Sequence, residues 1–434
     1  MGRGSPTDSN GKDRKKGSEG FNRISDAFAR YFSTEPEKEK VLKYEDFDAA
    51  GDTYYAGVSA WYKVLQRVFF ACLAIFAAVS VALNFKYITY DNFFYLIKDF
   101  GTAVDTESTN YETLSYDAST DQSFALYRGG LAVVGRTNVS AFTATGRRTL
   151  NNNVSYSKPY AVASDKYLLV YDMGEGNLSV YNSFAKVYGE TLDYPITDAC
   201  FDGEGGFAVL SRSSEYESQI TVYDKNFEKR VTFRKGAFAF DISLSEDGER
   251  LGALYCDTED GIVCTKVVFY DLKKHEKTDE LVYKGEFPLA CTFLDGGGFA
   301  FITDGATRVL GEALEADFAY ETDSYLSRRV SAVFCDGEYA ALCHNDGIIT
   351  DENEIFVFDK KGDLVYNSVV YSDVEQMSVC DGNIFIKNAD GVLRVNMKNS
   401  ESEQKSCSEG RMLVYNKKTA LVCSEAKAIY IKFE

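Results

Sequence analysis

The chain holds only two histidines, His275 and His344, so Ser-His-Asp or Cys-His chemistry would have to run through one of them. His275 lies in the Lys-rich turn DLKKHEK and reads as a solvated loop residue. His344 directly follows Cys343 at the end of a strand-like run, where alternation sends neighbouring side chains to opposite faces and denies them a dyad. Carboxylate pairs suited to acid-base work occur in nearly every loop of so acidic a chain, which robs that pattern of specificity. The loops DTEDG (257–261) and HNDGIITDENE (344–354) offer oxygen ligands but lack the D-x-D-x-D-G order of a calcium loop. Gly296, Gly297 and Gly298 belong to a hairpin turn with no helix behind it to hold a phosphate. Asn138, Asn153 and Asn177 open N-x-Ser sequons, which matter only in a glycosylating secretory pathway. These patterns assign no catalytic, cofactor-binding or metal-ligating residue.

Ten cysteines, nine of them beyond residue 85, form no C-x-x-C pair and have no histidine at metal-ligand spacing. Cys200, Cys291, Cys335 and Cys380 each sit beside a turn in a strand-like run and read as small buried hydrophobes at a repeated position. Cys256 and Cys264 flank the segment YCDTEDGIVC, where a hairpin could bring them face to face as a disulfide.

Those residues are positioned by a repeat. Eight copies follow one another, each an apolar run, a Gly/Asp turn, a second apolar run and a third run ending in a Tyr-Asp-like pair. The first two runs include SFALYRGGLAVVG, YAVASDKYLLVYD and LACTFLDGGGFAFIT, whose turn residues accept the positive φ of a tight hairpin. Taking Phe142, Tyr181, Tyr223, Tyr270, Leu310, Phe358, Asn396 and Tyr430 as equivalent, the period runs from 34 to 48 residues. Three clear strands and a weaker fourth (KRVTFR, DELVYK, DLVYNS) suit one four-stranded propeller blade. The last copy stops after its third strand, while YETLSYD (111–117) stands alone before the first. Such a segment would complete the final blade and close the ring. The expectation is therefore an all-β, eight-bladed propeller over 111–434, with seven blades as the alternative because the fifth repeat is degenerate.

Charge sorts the rest of the chain. Of 47 Lys/Arg and 66 Asp/Glu, 12 and 11 lie in the first 85 residues, which leaves 35 and 55, net −20, beyond them. That balance disfavours nucleic acid, whose phosphates need clustered cations, and steers cationic partners toward the domain. From Val68 to Leu83 the sequence VFFACLAIFAAVSVAL has no charge, and the stretch 61–85 is long enough to span a bilayer as a single helix. Lys63 and Arg67 can snorkel, and Trp61, Tyr62, Phe85 and Tyr87 supply interfacial anchors. Basic residues before the span outnumber those close behind it, so the expected topology is single-pass in the cell membrane. Residues 1–60 form a partly disordered cytoplasmic tail, 86–110 an interfacial helix or stalk, and the propeller is extracytoplasmic. Within the tail, Phe21, Ile24, Phe28 and Phe32 recur at helical spacing, on a helix that would lie on the inner leaflet or dock on a partner.

The repeat rhythm of 111–434 resembles the WD40-like and quinoprotein-like propeller superfamilies, without a Trp-Asp dipeptide or any blade tryptophan. The whole layout, with a polar tail, one span, the aromatic segment TYDNFFYLIKDFG and a propeller, resembles an uncharacterised domain-of-unknown-function family of Gram-positive bacteria. The resemblance implies architecture and location, not an activity. The reading best supported is a non-catalytic interaction scaffold or receptor for a protein, peptide or envelope polymer, with no cofactor. The alternative is a small-molecule or polysaccharide sensor or enzyme whose site lies in the propeller channel, built from carboxylates and tyrosines.

Overall fold

A computed structural model describes residues 61–76, 78–79, 113–313, 316–321, 329–345 and 352–434. Residues 1–88 and 89–434 form two separate units. In the first, residues 61–76 are helical and expose large apolar side chains, among them Leu65, Phe69, Phe70 and Phe76. No helix among the described residues is long and apolar enough to cross a membrane. The end of the expected span (80–85), the tail (1–60) and the expected stalk (86–110) lie outside the described residues.

The second unit contains eight four-stranded antiparallel sheets, each built from strands consecutive in sequence except the last. Blades 1 to 7 occupy 123–153, 159–191, 196–235, 238–284, 288–321, 329–371 and 376–406. Blade 8 takes Arg411–Asn416, Thr419–Cys423 and Lys427–Lys432 and adds Thr113–Ser115 as its outermost strand, with Thr113 opposite Ile429 and Ser115 opposite Lys427. The orphan segment does close the ring. The fifth repeat also forms a full sheet, ending in Ala316–Glu321, so the seven-blade alternative is excluded.

Local sequence explains the hairpins. Arg128-Gly129, Asp260-Gly261 and Asp381-Gly382 each place both central residues at positive φ, as a two-residue turn matched to strand twist requires. The residues aligned by period all lie in third strands. At six of them, Phe142, Tyr181, Tyr223, Tyr270, Leu310 and Phe358, the pairing with the fourth strand slips by one residue. A bulge at a fixed place deepens the twist of each blade and turns its outer strand around the ring.

There is no central core. Instead, one cluster of buried side chains fills each of the eight gaps between neighbouring blades, such as Leu169, Tyr171, Phe207 and Tyr223 between blades 2 and 3. Both faces of every sheet are therefore buried in their middle strands, and second strands such as Leu168–Asp172 and Phe207–Ser211 are buried throughout. The closing gap is filled by Leu114, Phe124, Leu131, Phe142 and Leu421. Leu114 is the one buried residue of the three-residue closing strand, so Leu114→Ala should lower stability by about 2–5 kcal/mol. Substitution of exposed Thr113 should change stability by less than about 0.5 kcal/mol, both read from urea unfolding of the full chain.

Candidate functional site

The innermost strand of each blade has no strand beside it on the axial side, so its outward backbone groups need other partners. Side chains from the preceding blade supply them between blades 1 and 2, 4 and 5, and 7 and 8. Ser123 Oγ accepts the Ala161 N–H at 3.1 Å, Ser243 Oγ accepts the Phe293 N–H at 2.9 Å, and Gln376 Oε1 accepts the Met412 N–H at 2.6 Å. Between blades 4 and 5 a carboxylate accepts beside Ser243: Asp241 Oδ2 takes the Cys291 N–H at 2.7 Å, and Oδ1 takes its own neighbour Ile242 N–H at 2.9 Å.

Asp241 also hydrogen-bonds Asp198 on the innermost strand of blade 3, whose carboxyl is further contacted by the Ala199 and Ile242 amides. Both follow a bulge, at Thr197 and Phe240, which turns two carboxyls from adjacent strands toward each other. Burial, then the charge of Asp241, holds Asp198 well above the usual carboxylate range. Burial raises Asp241 too, while the Cys291 amide and the hydrogen bond from Asp198 pull it back. Two carboxyls in such contact cannot both ionise freely, so they hold a proton between them and titrate as a pair.

Around the pair stand Tyr171, Cys200, Cys291 and Cys335. Burial and the two aspartates push the Cys200 and Cys291 thiols far up, and burial with Asp241 raises Cys335, so these sulfurs stay protonated and poorly nucleophilic. The Tyr171 hydroxyl is buried with no hydrogen-bond partner among the described residues. The cysteines do not share one repeated position: Cys335 and Cys380 end their strands, whereas Cys200 and Cys291 lie one and two residues further in. Across the axis the innermost strands of blades 6, 7 and 8 border a cavity of ≈ 420 Å³ in the range that takes small ligands, lined by Ser331, Glu375, Gln376 and Arg411 among others.

The other candidates separate as follows. Cys343 joins the layer between blades 6 and 7, and His344 packs edge-on against Phe356 of the layer between blades 5 and 6, at 6.0 Å, so the two do point apart. His275 is exposed in its turn at positive φ. In the DTEDG loop, Lys266 bonds Asp257 at 2.7 Å and Glu259 at 2.9 Å, so the carboxylates are neutralised by lysine. Residues 346–351 of the second acidic loop lie outside the described residues. No group able to hold a metal occurs among the described residues. Gly296 and Gly297 form a turn at positive φ, and the Gly297 carbonyl accepts from Arg250 Nη2 at 2.9 Å. Asn138, Asn153 and Asn177 sit at strand ends on blades 1 and 2. Cys256 and Cys264 are not face to face. Cys256 is paired with Thr265 and Cys264 with Asp257, an offset of one residue that puts the thiols on opposite faces, and both are free.

Blade 4 stands taller than the rest. Its middle strands, Arg250–Glu259 and Ile262–Asp271, run ten residues where those of blades 1 and 2 run five, a rise of roughly 13 Å or more. The raised part exposes Phe238 and Val263 on one side and Ile262 and Val282 on the other, with Phe240 and Phe287 packed edge to face at 5.5 Å at its root. Beneath it a buried ion pair joins Glu286 to Arg308 through two 2.7 Å hydrogen bonds, with Thr303 donating to Glu286 at 2.6 Å and the guanidinium 4.1 Å from the Tyr283 ring centre.

The shared proton sets a pH signature. A carboxyl raised in the folded state binds more protons than in the unfolded chain, so its contribution is intact below the unfolded value near ~3.9 and is lost as pH rises toward the raised value. Asp198→Asn keeps a donor to Asp241 without that proton. The stability of the wild type relative to this variant should fall between pH 4.5 and pH 8. Denaturant unfolding at the two pH values measures it, and an unchanged difference counts against the shared proton.

Residues 104–433 match a family of unknown function (DUF5711). No curated protein matches the chain. Among solved structures, BamB from Moraxella catarrhalis is similar at 14% identity and a TM-score of 0.50, covering 74% of this chain and 96% of its own. The Pan2 WD40 domain from Neurospora crassa is similar at 12% identity and a TM-score of 0.43, covering 62% and 88%. At such identities the likeness to BamB concerns the fold alone. On the family match, which spans the closing strand and all eight blades, the chain belongs to the DUF5711 family of unknown function.

Proposed function

We propose that the protein is an extracytoplasmic interaction scaffold, tethered to the cell membrane by one helix and docking a protein, peptide or envelope polymer on the raised end of blade 4. The observation that carries this reading is that blade: a rigid, doubled-length hairpin with apolar side chains exposed on both sides, held at its root by Phe240, Phe287 and the Glu286–Arg308 pair. Exposed aromatic and branched side chains on a stiff support bury area with little loss of conformational freedom, which suits binding more than solubility.

The tether is supported by the uncharged run Val68–Leu83 and by the apolar side chains exposed along helical residues 61–76, which call for a cover of lipid or protein. The more basic flank lies ahead of that run, which favours a cytoplasmic N-terminus.

A second reading, a sensor of small molecules or polysaccharides in the channel, is favoured by the Asp198–Asp241 pair and the cavity beside Glu375 and Arg411. The two readings part in one experiment. Ile262→Asp with Val263→Asp should leave folding within about 0.5 kcal/mol of wild type, because both side chains are exposed, yet abolish the partner recovered by crosslinking in intact membranes. Undiminished recovery would shift the site elsewhere. The tether predicts that the full chain stays with the membrane pellet through alkaline extraction and leaves it only in detergent.

A further inference from the structure

The outermost strand of every blade presents one unpaired backbone edge, and native sheets blunt such edges with charge, shortness or cover. Most blades here follow that rule. The closing strand Thr113–Ser115 has three residues, and Lys229–Lys235, Glu276–Lys284 and Ser402–Ser406 are studded with Lys, Arg, Asp or Glu. Arg148–Asn153, Lys186–Thr191 and Ala316–Glu321 each carry at least one charge.

Blade 6 departs from it. Its outermost strand, Leu364–Tyr371, reads LVYNSVVY: eight residues, no charge, no proline and no glycine, rich in the residue types that favour pleated structure. Tyr366 and Val370 turn inward to the layer between blades 6 and 7. Val369 and Tyr371 turn outward, 43% and 74% exposed, flanking a solvent-facing strip with Asn367. Among the described residues no strand pairs with it on its outer side.

We propose that this edge is an interface between two copies of the chain, formed by antiparallel pairing of its later part, Asn367 to Tyr371, with itself across a two-fold axis. Self-pairing is what the strand's own chemistry fits. With the axis at Val369, that residue faces its own copy and Asn367 faces Tyr371, all beyond the bulge at Val365, and no like charges come opposite one another. In a domain of net charge −20, whose Glu352 and Glu354 stand beside Tyr371 and Val369 on the neighbouring strand, Leu364–Tyr371 itself brings no charge to the contact. The pairing also gives the free backbone groups of the strand the partners that solvent now supplies.

Light scattering on the purified full chain in mild detergent tests this, with the detergent mass subtracted. The wild type should show twice 48.4 kDa at about 10 µM protein. Val369→Lys, which sets two ammonium groups opposite each other at an exposed site, should weaken dimerisation at least tenfold without changing the circular dichroism spectrum. Val369→Cys should form an intermolecular disulfide on mild oxidation, since facing Cβ atoms in such pairs lie ~4.5–5.5 Å apart. A monomeric wild type, a dimer indifferent to Val369→Lys, or no crosslink at residue 369 would each overturn the proposal.

Discussion

No strand runs around a propeller, so the ring depends on side chains that reach from one innermost strand to the backbone of the next. Here serines, a glutamine and an aspartate accept those amides, at 2.6–3.1 Å, on edges that otherwise face the axis unpaired. Each such bond joins residues tens of positions apart, Asp241 and Cys291 being separated by 50. The apolar layers between blades supply most of the burial, but they are non-directional. Between blades 1 and 2, 4 and 5, and 7 and 8 the axial hydrogen bonds add direction to the contact that the apolar layers fill.

That arrangement accounts for the carboxyl pair. Asp241 caps an amide of blade 5 as serine and glutamine do elsewhere, and Asp198 approaches it from the other side. Two carboxyls are tolerated so close because one keeps its proton and acts as a donor. The result is a structural bond of the ring that also titrates, lined by protonated thiols and a buried phenol.

Much of this fold was legible in sequence because blades repeat local features. Tight-turn pairs such as Asp381-Gly382 and the aromatic residue near the end of six of the eight third strands recur at a readable period, and the spare segment before blade 1 matched the strand missing from blade 8. The fifth blade was harder, since its third strand Ala306–Leu310 ends in Leu310-Gly311 where several counterparts carry a Tyr-Asp-like pair. The Asp198–Asp241 pair left no local mark: it arises from bulges in two strands whose approach is a tertiary matter. The same limit applies to Cys256 and Cys264, where a one-residue register difference decides whether thiols meet or part.

Closure through Thr113–Ser115 has a mechanical side. Every residue ahead of the propeller is joined to it covalently at this strand, so tension along the chain from that direction would be borne first by its pairing with Lys427–Ile429, by Leu114 and by Tyr116, which bonds Ala426 and Ser424. Peeling that edge would withdraw Leu114 from the layer between blades 8 and 1 while Phe124, Leu131, Phe142 and Leu421 still fill it and the seven other gaps are untouched, so the seam is where the ring would begin to yield to such a pull.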